Sequence, residues 1–263
     1  MIMKPIFFWG GAIILSGILF MYTSSTGKAN LKTDAVNTAA DGFVLMELFT
    51  SQGCSSCPAA DAVLQAYAEK NDDHIIPLSF HVDYWNHLGW IDSLSKNDYS
   101  ERQRAYDEKL NAETYTPQLV INGQQELIGS SKSEIASAVN KYLKANAAVK
   151  INVTDMNLAS SKASVNYTIE GDIVNMNINA ALVQKSVITQ IQRGENRGVK
   201  LNNFNVVRDF KTSLLKGPSG SFSLTLPAGN SFGNYMLVLF VQDKNNGAIK
   251  GAIAKNCGKQ TSF

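Results

Sequence analysis

The chain has 263 residues, which is enough for one large domain or two ordinary ones and too many for a miniprotein held together by disulfides. Apolar residues make up 44% of the sequence and charged residues 17%, which excludes a chain that is disordered throughout. The 24 basic and 22 acidic side chains leave a net charge of +2. Charge therefore gives no reason to expect nucleic acid or an anionic membrane surface as a partner. Three cysteines are too few for a disulfide framework, so any role they have is local.

The amino terminus has the layout of an export signal. Lys4 precedes an apolar run over residues 6–22, and a polar stretch over residues 23–41 separates that run from the rest of the chain. The run is longer than a typical signal-peptide core and slightly shorter than the roughly 20 residues of a membrane-spanning helix. We therefore predict that residues 1–26 are a signal peptide or an uncleaved membrane anchor. The rest of the protein is then expected outside the cytoplasm, periplasmic or secreted, where disulfides persist.

Residues 42–146 alternate between strand and helix patterns. Continuous apolar runs predict strands that are covered on both faces, and apolar residues at helical spacing predict amphipathic helices. In chain order the predicted segments are a strand at 43–49, a helix at 57–69, a strand at 75–82, a helix at 96–111, a strand at 119–121 that ends in an Asn-Gly turn, and a helix at 135–143. This order predicts an α/β domain over residues 42–146.

From Val149 the apolar period changes to two, and turn residues separate the resulting segments. Many half-buried strands with regular turns are typical of a sandwich or an open barrel. We therefore predict an all-β, sandwich-like domain over residues 149–254, followed by a polar tail at 255–263. The boundary between the two domains is expected at residues 146–150.

Cys54 and Cys57 form a C-x-x-C motif between the first predicted strand and the first predicted helix. The free N–H groups of a helix amino terminus favour a thiolate, which is the reactive form of cysteine. We therefore expect Cys54 to be the nucleophile and Cys57 the resolving cysteine. This interpretation requires that the Cys54 sulfur be accessible and face the segment around Pro117.

Two other interpretations of the cysteines remain open. The pair could be buried and inert, or form a purely structural disulfide. Alternatively, Cys54 and Cys57 together with His81 and His87 have the C-x2-C and H-x5-H spacings that tetrahedral ligation permits. In that case the site would bind a soft ion such as Cu(I) or Zn.

Thr116 and Pro117 immediately precede a short predicted strand. The carboxyl ends of parallel strands form the ligand edge of an open α/β sheet, and an antiparallel third strand would begin at the same edge. A cis proline at this position would face the cysteines, and cis peptide bonds are otherwise rare. The cysteine motif after the first predicted strand, residues 81–90 after the second and the Thr116–Pro117 step before the third are thus expected to converge on one site.

The motifs identify two levels of resemblance. The C-x-x-C after strand one, the Thr-Pro step and the ββα ending resemble the thioredoxin-like superfamily. More narrowly, the sequence resembles an exported family of unknown function, domain-of-unknown-function 1223, through FTSQGCSSCP at 49–58, HVDYW at 81–85, ERQRAY at 101–106, YTPQ at 115–118 and GENRG at 194–198. The resemblance implies an α/β thioredoxin-like domain followed by a β-rich domain, and it supplies no reaction. Ser55 and Ser56 replace the Gly-Pro spacer of thioredoxin, which leaves open whether the pair acts as reductant or oxidant.

Further candidate residues surround this site. Glu47 lies in an apolar strand where thioredoxins place a buried acid, and it is expected either to exchange a proton with Cys57 or to reach solvent or a lysine. His81 is expected to be a proton shuttle, a metal ligand or an ordinary hydrogen-bonded histidine. The segment 83–90 is predicted either to contact substrate or to pack its tryptophans on the second domain, and its candidate substrate-binding residues, with Thr116 and His81, are Asp83, Tyr84, Trp85 and Trp90.

The leading hypothesis is an extracytoplasmic thiol-disulfide oxidoreductase with catalytic residues Cys54, Cys57, Pro117 and Glu47. It needs no organic cofactor, and its partners are protein or small-molecule thiols and disulfides and a redox partner protein. The alternatives are the metal module and a non-catalytic binding protein whose disulfide only stiffens the scaffold. The segment 193–198 is expected to be a hairpin loop, and Cys257 an exposed lone thiol.

Overall fold

In a computed structural model of the chain, the structure describes residues 42–159 and 161–258, together with residues 1, 2 and 5. The predicted signal or anchor at residues 1–26 lies, apart from those three residues, outside the described part. Within the described part, no helix combines the length and hydrophobicity needed to cross a membrane.

Three helices and eleven strands make up the described chain. The helices are α1 (Cys57–Ala68), α2 (Asn97–Leu110) and α3 (Lys132–Tyr142). The strands are β1 (Val44–Thr50), β2 (Ile75–His81), β3 (Gln118–Ile121), β4 (Gln125–Ile128), β5 (Val149–Ala159), β6 (Lys162–Gly171), β7 (Met176–Gln190), β8 (Lys200–Leu214), β9 (Ser219–Thr225), β10 (Tyr235–Asp243) and β11 (Ile249–Asn256). Over residues 42–146 the elements follow the predicted order.

Strand β1 lies between β2 and β3 and is buried along its whole length. It is parallel to β2 and antiparallel to β3, with Thr50 opposite His81 and Phe49 opposite Gln118. The ends of β1 and β2 and the start of β3 therefore lie at one edge of the sheet, as the sequence predicts.

The side chains of β1 alternate between two hydrophobic cores. Val44, Met46 and Leu48 pack with residues of α1 and α3, whereas Leu45 and Phe49 pack with Tyr99 and Tyr106 of α2. Alternation along a strand sends successive side chains to opposite faces. One face of the sheet is therefore covered by α1 and α3 and the other by α2.

The predicted fold class, an α/β thioredoxin-like domain followed by an all-β sandwich-like domain, is wrong. Strands of both halves of the chain form one mixed eight-stranded sheet in the order β11-β10-β7-β8-β2-β1-β3-β4, and only β5, β6 and β9 form a separate three-stranded sheet. The period-two pattern from Val149 correctly indicated strands. It could not indicate that β8 pairs with β2, because alternation specifies which face is buried and not which strand is the neighbour.

The junction of the two halves depends on few backbone pairs. Ser79 of β2 and Val206 of β8 form the single register pair between these strands. Side chains reinforce the junction: the Asn205 amide donates to the Pro77 carbonyl, and the Tyr99 hydroxyl donates to the Val207 carbonyl. The long β7–β8 hairpin thus extends the sheet and carries its loop towards the edge where β1 and β2 end.

Candidate functional site

The cysteine pair lies in the turn between β1 and α1. Cys54 and Cys57 form a disulfide, with their Cα atoms 5.4 Å apart. Cys57 is the first residue of α1 and Pro58 the second, where a missing N–H costs nothing. The Ser56 hydroxyl lies 3.3 Å from the Cys54 sulfur. In the dithiol form that hydroxyl is placed to donate to a Cys54 thiolate.

The Thr116–Pro117 step is brought to the same edge, and its peptide bond is cis. Trp85 links it to the cysteine turn: the indole Nε1 donates to the Thr116 hydroxyl at 2.8 Å, and the Trp85 Cβ would lie 3.3 Å from a Cβ added at Gly53. The three segments predicted to converge therefore do so.

The expectation that Cys54 is accessible is wrong for this conformation. Both cysteines are 0% exposed, although Ser55 and Ser56 between them are exposed. Such burial is what the sequence analysis expects of an inert cysteine pair.

The β7–β8 loop lies against the cysteine turn. The Asn196 amide donates to the carbonyls of Gln52 and Cys54, both at 2.9 Å, and the Ser55 N–H donates to the Glu195 carboxylate at 3.0 Å. The segment 193–198 is the predicted hairpin loop. Its side chains form hydrogen bonds with the backbone on both sides of Cys54. We call residues 193–198 the cap loop.

A buried polar cluster lies beside the cysteine turn, on the α1 face of the sheet. The Asp61 carboxylate accepts from the Thr50 hydroxyl at 3.0 Å and from the Asn203 amide at 3.2 Å. His81 Nδ1 lies 2.6 Å from the Asp92 carboxylate, and that carboxylate also accepts from the Gln52 N–H. We call Asp61, His81 and Asp92 the acid–histidine cluster.

Burial governs the protonation of this cluster. It raises the pKa of Asp61 to about 6, against a partial opposing effect of the His81 charge. Burial alone would lower the pKa of His81, but the Asp92 and Asp61 carboxylates outweigh it and the pKa is raised. Burial would likewise raise the pKa of Asp92, yet His81 and two backbone N–H donors lower it.

Sequence reasoning missed Asp61 and Asp92 as site residues. A signal for Asp61 was present: Cys57, Asp61 and Leu64 have the spacing of one helix face, and all three are buried. A carboxylate on the buried face of a helix is rare unless it is paired. No comparable signal marked Asp92, because it lies in an irregular segment.

Glu47 occupies the other face of the sheet. Its carboxylate accepts from Arg102 Nε at 2.6 Å and Arg102 Nη2 at 3.0 Å, and from the Tyr106 hydroxyl. Its hydrogen bonds thus go to α2 rather than to a cysteine or to solvent. Four aromatic rings surround the guanidinium, those of Phe80, Tyr106, Phe210 and Phe240. We call Glu47, Arg102 and Tyr106 the ion-pair cluster.

The segment 83–90 divides between the two halves of the molecule. The Asp83 carboxylate accepts from the Ser100 hydroxyl, and the Tyr84 hydroxyl donates to Gln103. The Trp90 indole donates to the Gln52 side chain at 3.2 Å, and its Cβ would lie 3.0 Å from a Cβ added at Gly194 of the cap loop. Trp90 therefore packs against the second half of the chain, whereas Trp85 faces Thr116.

The structure also bears on the alternative metal site and on Cys257. Over residues 42–159 and 161–258, no three His, Cys, Asp or Glu side chains are grouped so that they could share a metal ion, and His87 is exposed. Cys257 was expected to be exposed and is instead buried, and burial raises its pKa to about 11.

Comparison with known families decides the identity of the chain. Residues 45–242 match the family model described as a protein of unknown function, DUF1223. The chain belongs to the DUF1223 family. The matched range begins in β1 and ends in β10, so it includes the cysteine turn, the cap loop and both buried clusters. No curated protein matches the chain.

Solved structures share the fold over most of the DUF1223 chain. A crystal structure of a protein from Agrobacterium tumefaciens is 26% identical, covers 86% of this chain and 97% of its own, and has a TM-score of 0.65. HBP35 of Porphyromonas gingivalis is 14% identical, covers 85% of this chain and 78% of its own, and has a TM-score of 0.59. The second likeness concerns the fold alone.

Proposed function

We propose that this protein carries out thiol–disulfide exchange through Cys54 and Cys57. The observation that carries the proposal is the position of the disulfide: it joins the end of β1 to the first residue of α1, at the sheet edge where Thr116 and Pro117 begin β3. A structural disulfide needs no such edge, whereas an exchanging one needs a place for a second chain.

The position also supports a separate role for each sulfur. Cys57 begins α1, and the Cys54 sulfur faces the Ser56 hydroxyl just before the helix. The unpaired N–H groups and positive end of a helix stabilise an anion there. Cys54 is therefore the sulfur that attacks, or is attacked by, a partner, and Cys57 resolves the mixed disulfide.

The cap loop sets the condition for this exchange. Cys54 is fully buried and Asn196 and Glu195 bind the adjoining backbone, so the proposed exchange includes movement of the cap loop away from the cysteine turn. Local openings of this kind cost less than global unfolding. The proposal therefore includes a closed resting state and a reactive state with the cap loop displaced.

The partners of the proposed reaction are a thiol or disulfide substrate and a second redox protein, without an organic cofactor. The apolar run at residues 6–22 after Lys4 supports an extracytoplasmic site of action, either released or anchored at the amino terminus. Disulfide exchange is sustained in such compartments. The Thr116 backbone, at the sheet edge beside the cysteine turn, is where an extended substrate segment would pair.

The proposal is tested by trapping. Cys57→Ser leaves Cys54 unable to be released from a mixed disulfide, so mild oxidation with a thiol-containing peptide should yield a stable Cys54 adduct. Cys54→Ser is the matched control and should yield no adduct at Cys57. Equal adduct formation by the two variants, or none by either, would count against exchange.

The complete burial of both cysteines favours a second candidate, a non-catalytic binding protein stiffened by the disulfide. This version predicts that the Cys54→Ser/Cys57→Ser double variant keeps all binding while wild-type protein does not exchange with dithiothreitol. Measuring the exchange rate of the oxidised wild-type chain separates the two candidates directly.

A further inference from the structure

Asp61 lies one helical turn after Cys57, and both side chains are buried. Residues four apart on a helix are neighbours, with Cβ atoms about 5–6 Å apart. The Asp61 carboxyl therefore lies on the same buried helix face as Cys57, whose sulfur must gain a proton when the disulfide opens. The Thr50 hydroxyl and Asn203 amide fix the carboxyl without carrying charge themselves.

His81 belongs to the same buried acid–histidine cluster as Asp61. Its Nδ1 is paired with Asp92, but its Nε2 is buried and has no hydrogen-bond partner among residues 42–159 and 161–258. Buried polar atoms without a partner are uncommon and mark places where a structure holds strain, water or chemistry. His81 stands opposite Thr50 in the sheet, and Thr50 binds Asp61, so the unpartnered nitrogen lies on the face that α1 covers.

The charges around Asp61 come from few elements. His81 of β2 and Asp92 of the following segment are the ionisable groups that act on it, and Arg208 of β8 acts on His81. With the pKa of Asp61 raised to about 6 by burial and that of His81 raised by its carboxylates, the two groups can hold a proton close to neutral pH.

We infer that Asp61 is the proton donor and acceptor for Cys57. This assignment rests on the proposed function. It takes the place that sequence reasoning gave to Glu47, whose carboxylate is engaged by Arg102 and Tyr106 on the opposite face.

The step is balanced in both directions. When a substrate thiolate attacks Cys54, the bond between Cys54 and Cys57 breaks, Cys57 leaves as a thiolate, and Asp61 gives it a proton. In the reverse direction, Asp61 takes the proton from the Cys57 thiol. The resulting thiolate attacks the mixed disulfide at Cys54 and releases the substrate as a thiolate, so that the cysteine pair is oxidised and the substrate reduced.

The test measures resolution of the mixed disulfide between Cys54 and glutathione, by glutathione release, from pH 4.5 to 8.5. Positioned acid–base groups contribute about 100-fold or more, so Asp61→Asn should slow resolution by about 100-fold at neutral pH and remove an inflection from the pH profile. Asp209→Asn is the control, because among the residues that the structure describes this half-buried carboxylate accepts from the backbone N–H groups of Phe210 and Thr225. It should leave rate and profile unchanged.

A second measurement does not depend on a variant folding. In wild-type protein, the carboxyl carbon of Asp61 is titrated by NMR in the disulfide and dithiol forms. Coupling to Cys57 should give two different pKa values, and one common value would overturn the assignment.

The outcomes separate this inference from the proposed function. If wild-type protein forms no mixed disulfide, the proposed function fails and the assignment fails with it. If the wild-type chain resolves its mixed disulfide and Asp61→Asn does so equally fast with the same pH profile, the assignment alone is wrong.

Discussion

The two faces of the central sheet each bury a carboxylate, and they treat it differently. On the α2 face, the Glu47 carboxylate is neutralised by two nitrogens of the Arg102 guanidinium. On the α1 face, the donors to Asp61 in the described part of the chain are the neutral Thr50 hydroxyl and Asn203 amide, and burial raises its pKa to about 6. Burial alone therefore does not mark a functional acid. In our proposal, what distinguishes Asp61 is incomplete neutralisation on the helix face that it shares with Cys57.

A substitution that disrupts the ion-pair cluster should cause the largest loss in the free energy of unfolding. Arg102→Ala leaves the Glu47 carboxylate buried without its counter-charge, and removing one partner of a buried pair costs about 3–5 kcal/mol. Chemical denaturation at pH 7 measures this loss. A matched variant, Glu47→Leu combined with Arg102→Met, should recover most of it, because both charges are then gone. A loss below about 1 kcal/mol for Arg102→Ala would contradict the structural role of the cluster.

A substitution in the acid–histidine cluster should instead change how the stability of the protein depends on pH. Because the pKa of Asp61 is raised in the folded state, its contribution to stability is lost as pH rises from about 4 through about 6. Asp61→Asn lacks this loss, so relative to wild type it should gain about 2 kcal/mol on going from pH 4 to pH 7. Denaturation midpoints at both pH values provide the measurement. A difference between variant and wild type that does not change with pH would show that Asp61 titrates normally.

The smallest expected effect concerns access to the site. Asn196→Ala removes two hydrogen bonds that hold the cap loop to the cysteine turn. At about 0.7 kcal/mol for each of the two bonds, opening should become about tenfold more frequent. Reduction of the disulfide by dithiothreitol should accelerate by the same factor. Arg197→Ala, an exposed neighbour in the same loop, is the control. Equal rates for Asn196→Ala and wild type would mean that the cap loop does not limit access.

The sequence predicted the part of the fold that depends on local pattern. Apolar runs located β1 and β2, the Asn-Gly turn located the β3–β4 hairpin, and helical spacing located α1 to α3. The same patterns did not reveal that β8 joins β2, because the contact depends on a single register pair and on polar side chains. The predicted fold class failed at that contact.

The candidate site was predictable in its cysteines and Pro117 but not in its acid. Choosing between Glu47 and Asp61 requires knowing which face of β1 is covered by which helix. Arg102 lies in a predominantly polar helix, and nothing in its local sequence connects it with Glu47, 55 positions earlier. Likewise, Asn203 binds Asp61 across 142 positions. Such long-range pairs follow from topology rather than from spacing.

The separation between Cys54 and Asn196 has a consequence for biosynthesis. They are 142 residues apart, so the ribosome finishes the cysteine turn well before the loop that fastens it. At typical rates of synthesis this interval is on the order of ten seconds. During that time the two thiols belong to a nascent chain without its later hairpin, exposed to whatever oxidant they meet. Completion of the hairpin then encloses the bond, so that from this point oxidation or reduction of these sulfurs requires the hairpin loop to open.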